Sequence, residues 1–211
     1  MEYLTFALAK GRLAEKAMEA LGKTGIHCEE MKEDSRKLIF VNEDIKCRFF
    51  LAKAQDVPTY VEHGAADIGI VGLDTLLEEN RNLYQVLDLG FGKCRFAVAG
   101  KPEAREILDK QDLRVATKYL NIAKDFYYNK KHQTVELIKL NGSVELAPVV
   151  GLSDVILDIV ETGSTLKANG LEVLEEVCPL SARLAVNRVS MKLKHDRITE
   201  IIKGLKELEL K

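Results

Sequence analysis

Short apolar runs along the chain alternate with segments whose apolar residues recur every three or four positions. The runs are typical of buried strands, and the recurring pattern is typical of helices with one buried face. Their alternation predicts an α/β protein in which most strands are parallel. We predict strands over 4–9, 37–41, 46–52, 67–71, 113–116, 134–140, 155–159, 171–177 and 182–186, with two more between 84 and 99.

Helices are predicted in the segments between these strands. The last one is the clearest, because its apolar residues form a single stripe: Ile198, Ile201, Ile202, Leu205 and Leu208. Pro58 is typical of a first helical turn, and Gly25 ends the helix that begins near Leu13. Pro179 separates the last two predicted strands. The predicted helices cover 13–24, 56–64, 73–79, 101–110, 122–129 and 198–208.

The composition narrows the class of protein. The chain has 211 residues, of which 46% are hydrophobic and 30% are charged, and these values exclude collagen-like, low-complexity and disordered proteins. Thirty-one basic residues against 33 acidic residues leave a net charge of −2, whereas a general nucleic-acid binder normally has a basic excess. We therefore expect no nucleic-acid partner, and an anionic ligand must be bound by locally placed charges.

Three features predict a cytoplasmic protein. The four cysteines, at 28, 47, 94 and 178, have no metal-ligand spacing, and we interpret them as free thiols of a reducing compartment. The N-terminus lacks the basic start and long apolar stretch of a signal peptide. No apolar run approaches the ~18 residues that a membrane-spanning helix needs, so no membrane partner is expected.

The most informative stretch is DVILDIVETGSTLKANGL, at 154–171. An apolar strand leads to Asp158, and the next residues are acidic, small or hydroxylated: Glu161, Thr162, Gly163, Ser164 and Thr165. Such a loop offers backbone N–H groups and hydroxyls to a monophosphate, and a helix can begin directly after it. By itself a TGST sequence is more often an ordinary turn with an N-capping residue. Asp158, placed to accept hydrogen bonds from ribose hydroxyls, favours a phosphoribosyl site.

Charged residues follow two further predicted strands. Lys10, Gly11 and Arg12 lie between a strand and a helix, where cations oppose the helix dipole, so the tripeptide indicates either a nearby anion or two solvated charges. Asp74 follows the strand 67–71, as a ligand-site residue or as a helix N-cap. Arg36, in a loop before a strand, is a weaker candidate.

A long set of positions matches the signature of a known enzyme family. The signature positions present here are Glu145, Gly151, Ser153, Ile156, Asp158, Thr162, Gly163, Thr165 and Leu166. Beyond this signature, three segments also match the family: ALAKGRL at 7–13, ADIGIVGLDTL at 66–76 and LKANGLEVLEEV at 166–177. On these residues the chain resembles the ATP phosphoribosyltransferases of the first step of histidine biosynthesis, and specifically their short form.

The resemblance implies a fold and a reaction. The fold is α/β, with two lobes like those of type II periplasmic binding proteins and an active site in the cleft between them. Lobe I would comprise 1–88 and 180–211, and lobe II would comprise 89–179. The enzymes of this family condense ATP with 5-phosphoribosyl 1-pyrophosphate, giving N1-(5-phosphoribosyl)-ATP and pyrophosphate, and they require Mg²⁺.

The resemblance also implies roles for the candidate residues. The phosphoribosyl pyrophosphate would be bound by Glu145, Asp158, Glu161 and the loop 162–165. ATP would be bound by Lys10, Gly11, Arg12 and Asp74, and Arg12 and Arg36 would stabilise the departing pyrophosphate as catalytic residues. No side-chain metal site is expected, because Mg²⁺ would be held mainly by the substrate phosphates.

The short form of the family implies a partner. It depends on a regulatory subunit that resembles histidyl-tRNA synthetase, so we expect a hetero-octamer of four catalytic and four regulatory chains. The catalytic chain alone is expected to form a homodimer.

Two other functions stay open at this point. A type I phosphoribosyltransferase acting on a free nucleobase uses a similar acid-then-TGT loop on a different, single-domain fold. A solute-binding or effector-sensing module uses the same two-lobed fold without catalysis, and fold alone does not separate it from an enzyme.

Overall fold

A computed structural model of the protein describes residues 2–32 and 37–208, with Lys32 described by its backbone. Its strands are β1 Leu4–Ala9, β2 Ile39–Asn42, β3 Cys47–Ala52, β4 Ile68–Gly72, β5 Tyr84–Asp88, β6 Cys94–Gly100, β7 Leu113–Thr117, β8 Val135–Lys139, β9 Val155–Val160, β10 Glu172–Leu180 and β11 Ala182–Val186. Its α-helices are α1 Arg12–Lys23, α2 Val57–Glu62, α3 Leu73–Glu79, α4 Leu120–Lys124, α5 Leu146–Val149, α6 Ser164–Ala168, α7 Ser190–Leu193 and α8 His195–Glu207. Short 3₁₀ helices cover Glu29–Lys32, Ala54–Asp56 and Pro102–Ile107, and a π-helical segment covers Asp125–Lys130.

The chain forms two compact units. Unit 1 contains the residues up to Gly92 and those from Ser181 onward, and unit 2 is Lys93–Leu180. The predicted lobe boundaries, 88/89 and 179/180, lie four residues and one residue, respectively, before these divisions.

Each unit contains one mixed sheet. In unit 1 the strand order is β2-β3-β1-β4-β11-β5, and in unit 2 it is β10-β6-β9-β7-β8. Three neighbouring strands are parallel in each unit, β3-β1-β4 and β9-β7-β8, and the other five pairings of described strands are antiparallel. The prediction of mainly parallel strands is therefore wrong. A short turn makes β2 and β3 antiparallel, and β11 returns antiparallel to β4 after the chain has passed through unit 2.

The core of unit 1 follows the sequence pattern. Phe6 of β1 stacks on Phe49 of β3, with ring centroids 5.1 Å apart and both side chains fully buried. Leu21 of α1 and Ile198 of α8 are also fully buried in this core. The predicted stripe of the last helix is confirmed, since Ile201 and Leu205 are buried beside Ile198.

The structure corrects two local predictions. Pro179 lies inside β10 instead of separating two strands, and it pairs with Arg95 of β6. A proline, which has no N–H to donate, is tolerated there because β10 is an edge strand. The segment 101–110 forms a 3₁₀ helix over Pro102–Ile107 where an α-helix was expected.

Three short elements escape the sequence pattern: Glu29–Lys32, α5 and α7. Each has only four residues, so none contains a full period of buried positions that the pattern could reveal. In the described ranges, 2–32 and 37–208, no helix is long and apolar enough to cross a membrane. All four cysteines are free thiols, as predicted.

Candidate active site

A pocket of about 300 Å³ opens in unit 2 where β9 ends. The seven residues predicted to bind the phosphoribosyl substrate all line this pocket: Glu145, Asp158, Glu161, Thr162, Gly163, Ser164 and Thr165. Ile159, Val160 and Leu166 complete the described lining. The structure therefore brings together residues that are up to twenty positions apart in the sequence.

The topology of unit 2 explains this grouping. β7 pairs in parallel with β8 on one side and with β9 on the other, so the carboxyl ends of all three strands meet at one edge of the sheet. Asp158 lies near the end of β9, and Glu145 lies in the segment that follows β8, directly before α5. Ligands of α/β sheets bind at such carboxyl ends.

The loop after β9 is shaped by Gly163. Its φ of +77° is left-handed, a conformation in which a side chain at this position would be strained. The Thr162 hydroxyl oxygen accepts a hydrogen bond from the Ser164 N–H at 3.3 Å and lies 3.0 Å from the Ser164 hydroxyl. α6 begins at Ser164, within the predicted loop instead of directly after it. The loop thus presents hydroxyls and first-turn N–H groups that have no acceptor within the helix.

Asp158 is the most perturbed carboxyl group of the pocket. Burial raises the pKa of Asp158 to about 6, and the neighbouring Glu145 carboxylate contributes to the rise. The Ile159 N–H and the Lys118 ammonium oppose it by stabilising the ionised form. Near pH 7 Asp158 is therefore largely ionised, and it offers carboxylate oxygens as hydrogen-bond acceptors.

Lys118 was not identified by the sequence analysis. It directly follows β7, just as Lys10 directly follows β1, so a cation after an apolar strand was a signal present in the sequence. Its proximity to Asp158 depends on the pairing of β7 with β9, which no local pattern reveals.

The basic tripeptide of unit 1 lies at the junction of β1 and α1. The Lys10 N–H donates to the Ala52 carbonyl at 2.9 Å, which holds the junction against the end of β3. Gly11 is the N-cap of α1 with a φ of +94°, and exposed Arg12 is the first helical residue. Both cations thus lie at the positive end of the α1 dipole, as predicted.

Asp74 lies at the same edge of that sheet. β1 and β4 are parallel neighbours, so α3, which follows β4, begins near the end of β1. The N-cap of α3 is Gly72, and Asp74 is the second helical residue, so the alternative interpretation of Asp74 as an N-cap is wrong. Its carboxylate accepts a long hydrogen bond, 3.4 Å, from the Thr75 hydroxyl.

Arg36 lies outside the described residues, and its place in a site stays a prediction. Within 2–32 and 37–208, no group of three or more His, Cys, Asp or Glu residues is arranged to hold a metal ion.

The sequence of this chain is similar to those of known proteins over nearly its whole length. A family model described as HisG, ATP phosphoribosyltransferase, matches residues 53–207. An ATP phosphoribosyltransferase of Lachnoclostridium phytofermentans is 70% identical over 210 residues, which are 99% of this chain and 98% of the relative. This mutual coverage agrees with the predicted short form of the family.

Two solved structures have a similar fold. A chain of the ATP phosphoribosyl transferase (HisG:HisZ) complex from Thermotoga maritima superposes with a TM-score of 0.81 and 38% identity, covering 97% of each chain. The periplasmic VFT2 domain of Bordetella pertussis BvgS superposes with a TM-score of 0.60 at 12% identity, covering 99% of this chain and 88% of the domain. The second similarity shows the fold alone. The predicted periplasmic-binding-protein-like fold is confirmed, and its active-site cleft stays a prediction.

The sequence match is too extensive to reflect the fold alone. The BvgS domain has the same fold at 12% identity, whereas the Lachnoclostridium enzyme is 70% identical to this chain over 210 residues. The chain therefore belongs to the family of ATP phosphoribosyltransferases, the enzymes of the first step of histidine biosynthesis.

Proposed function

We propose that the pocket of unit 2 binds 5-phosphoribosyl 1-pyrophosphate, whose phosphoribosyl group the enzyme transfers to N1 of ATP with release of pyrophosphate. The observation that carries the proposal is the pocket itself, in which an acidic strand end and a hydroxyl-rich loop occur together in a member of this family. The loop 162–165 binds the 5-phosphate through N–H groups and hydroxyls. Asp158 accepts hydrogen bonds from the ribose hydroxyls, and Glu145 and Glu161 flank it.

The ATP side of the reaction is assigned to unit 1. Lys10 and Arg12 supply cations, and Gly11 supplies backbone without a side chain, so phosphate oxygens can approach the start of α1 closely. Asp74 lies at the same sheet edge. Arg36 joins this group on the strength of the sequence resemblance.

The mechanism follows from the weakness of the nucleophile. N1 of adenine is neutral and weakly nucleophilic, so the rate depends on making C1 of the ribose electrophilic. Positive charge develops on the ribose ring as pyrophosphate departs, and the guanidinium groups of Arg12 and Arg36 stabilise the leaving group. Placing N1 in line behind C1 supplies the positional part of the rate, and no covalent bond to the protein forms.

Mg²⁺ is the proposed cofactor. Mg²⁺ would be held mainly by the substrate phosphates, as is common for this ion, and an acidic pocket lining is compatible with a cation beside those phosphates. When bound, the ion neutralises negative charge on the pyrophosphate.

The chain is also proposed to work with a regulatory subunit in the cytoplasm. The Thermotoga maritima structure is a complex of two components, HisG and HisZ, and this supports a HisZ-like partner for a chain of the same family. We propose four copies of each chain in the assembly and a homodimer of the catalytic chain alone.

Pyrophosphate release tests the proposed reaction. The wild-type chain, with and without the regulatory protein, is incubated with Mg²⁺, phosphoribosyl pyrophosphate and ATP, and parallel samples contain adenine in place of ATP. We expect pyrophosphate only when ATP is present.

The alternatives give different results in the same assay. Release with adenine but not with ATP would indicate a nucleobase phosphoribosyltransferase. Binding of both ligands without release, in the presence of the partner, would indicate a sensor module. Either result would contradict the proposed function.

A further inference from the structure

The phosphoribosyl pocket of unit 2 is acidic. Three carboxyl groups line it, those of Glu145, Asp158 and Glu161. Among the described residues of the lining, none is Lys or Arg. The substrate assigned to the pocket carries phosphate groups, which such a lining repels. A protein cation just beyond the lining would reduce this repulsion in addition to the proposed Mg²⁺.

Lys118 is a cation beside Asp158 at this edge of the sheet. Thr117, the last residue of β7, pairs with Leu157 of β9. The residues that follow them, Lys118 and Asp158, therefore lie beside each other at the same edge of the sheet. The charge of Lys118 acts on the Asp158 carboxyl, lowering its pKa against the effect of burial. Lys118 is half-buried and forms no ion pair with another described residue.

Three contacts fix the backbone that carries Lys118. The Thr117 hydroxyl, fully buried, donates to the Leu157 carbonyl at 2.7 Å and accepts from the Tyr119 N–H at 2.9 Å. The Lys139 ammonium, at the end of β8, donates to the Lys118 carbonyl. The turn after β7 is thereby held from both neighbouring strands, β8 and β9.

The side chain of Tyr119 adds a further constraint. Its ring packs edge-on against Phe96 of β6, with centroids 4.9 Å apart. Phe96 is paired with Ile159, the residue after Asp158. The Lys118 ammonium lies 5.8 Å from the centroid of the Tyr119 ring, within the range of a cation–π contact. Lys118 is thus held near Asp158 by neighbours that are themselves packed against β9.

We propose that the Lys118 ammonium binds an anionic oxygen of the phosphoribosyl substrate, and that Thr117 is the positioning residue that holds it there. The inference rests on the proposed function, because it takes phosphoribosyl pyrophosphate as the ligand of the pocket. It adds a substrate-binding cation from the turn after β7 to a set of residues drawn from the end of β9 and from the segments that follow β8 and β9.

Calorimetry with a matched set of variants tests the proposal. Binding of phosphoribosyl pyrophosphate in the presence of Mg²⁺ is measured for the wild type, Lys118→Met, Lys118→Arg and the control Lys124→Met, which removes an exposed lysine of α4. Lys118→Met should weaken binding at least tenfold, because a charge-assisted hydrogen bond is lost. Lys118→Arg should restore part of the affinity, and Lys124→Met should bind within twofold of the wild type.

Ribose 5-phosphate as a second probe locates the contact. If Lys118→Met weakens both ligands equally, the ammonium binds the 5-phosphate. If it weakens only phosphoribosyl pyrophosphate, the ammonium binds the pyrophosphate. Unchanged affinity for both ligands would overturn the proposal.

The positioning role of Thr117 has its own comparison. Thr117→Ser keeps the hydroxyl and should retain the wild-type affinity, whereas Thr117→Val removes it and should weaken substrate binding severalfold. A purely structural role would lower the melting temperature of Thr117→Val without changing the affinity of the folded protein, and this result would overturn the assignment.

Titration of Asp158 gives a readout that needs no substrate. Carbon-13 NMR of the carboxyl group should show a higher pKa in Lys118→Met than in the wild type, and an unchanged pKa in Lys124→Met. An equal pKa in all three proteins would contradict the juxtaposition of Lys118 and Asp158. A wild-type protein that binds no phosphoribosyl pyrophosphate would contradict the proposed function, whereas wild-type binding that Lys118→Met leaves intact contradicts this inference alone.

Discussion

Replacing Asp158 with Asn should stabilise the fold while it weakens substrate binding. Burial raises the pKa of Asp158 from 3.8 to about 6, so the folded state disfavours the ionised form. Once the group is ionised in both states, a rise of this size lowers the unfolding free energy of the wild type by on the order of 3 kcal/mol. Asn is neutral at every pH and avoids this loss.

The sign of the effect fixes its dependence on pH. Because the folded-state pKa lies above the unfolded-state value, the wild type is penalised little below pH 3.8, and the penalty grows as the pH rises through about 6. Asp158→Asn should therefore have nearly the wild-type unfolding free energy at pH 4, and a higher one at pH 8. Urea denaturation at the two pH values measures the difference.

Asp154 provides a matched control on the neighbouring turn. Its Oδ1 lies 2.6 Å from Nη2 of Arg114, and the hydrogen bond from Arg114 lowers the pKa of Asp154. The stability from this carboxylate is present above its unfolded-state pKa and is lost as the pH falls through its folded-state pKa. Asp154→Asn should thus be less stable than the wild type at pH 8, opposite in sign to Asp158→Asn.

Substrate affinity completes the test. Asp158→Asn should bind phosphoribosyl pyrophosphate more weakly by about 1.5–3 kcal/mol, the range for a hydrogen bond to a charged group. A variant that is equally stabilised at pH 4 and pH 8, or destabilised at pH 8, would refute the electrostatic reasoning. Unchanged affinity in calorimetry would remove Asp158 from the substrate site.

Three further predictions concern the two units and the assembly. Arg12→Ala should lower kcat/KM for pyrophosphate release at least tenfold with little change in melting temperature, whereas Lys16→Ala, which removes another exposed cation of α1, should leave both unchanged; equal turnover in the two variants would contradict the role of Arg12. The affinity for phosphoribosyl pyrophosphate should fall as the pH is lowered from 8 to 5, because Asp158 becomes protonated near pH 6, and Asp158→Asn should lose this part of the dependence. The isolated chain should not respond to histidine, and its complex with the regulatory subunit should be activated and histidine-sensitive. Inhibition of the isolated chain by histidine in a steady-state assay would contradict the assignment of histidine control to the regulatory subunit.

The sequence predicts elements best where an apolar run ends abruptly. β1 occupies Leu4–Ala9 as predicted, because Lys10 and the left-handed Gly11 end the run. α3 occupies Leu73–Glu79 as predicted, and Asn80 ends it in a left-handed conformation. In both cases the terminating residues are next in sequence, so the signal is local.

The errors arise where pairing decides the structure. An apolar run carries no information about the direction of the strand that pairs with it, so the antiparallel pairing of β11 with β4 could not be predicted from the sequence pattern. Pro179 looked like a strand break because a central strand would exclude it, whereas β10 is an edge strand. Edge position is a property of the whole sheet and cannot be read from one segment.

The candidate site divides in the same way. Asp158 and the loop 162–165 lie within one short stretch, so local chemistry alone indicates a phosphoribosyl site. Glu145 required the family resemblance, since a turn and α5 separate it from β9. Lys118 is forty residues from Asp158 in the sequence and reaches it only through the pairing of β7 with β9.

The candidate residues lie together in each unit although the prediction about strand direction was wrong, and the topology explains why. Each mixed sheet contains one parallel group of three, centred on β1 in unit 1 and on β7 in unit 2. The described candidate residues follow strands of these groups or lie at their carboxyl ends, whereas β6, β10 and β11 lie beside the two divisions between the units and pair only in antiparallel fashion. Parallel strands place successive loops at one edge, where side chains from distant segments converge. In each group, the loop that follows the central strand lies between the loops that follow the two outer strands. Lys10 occupies this position after β1, and Lys118 occupies it after β7.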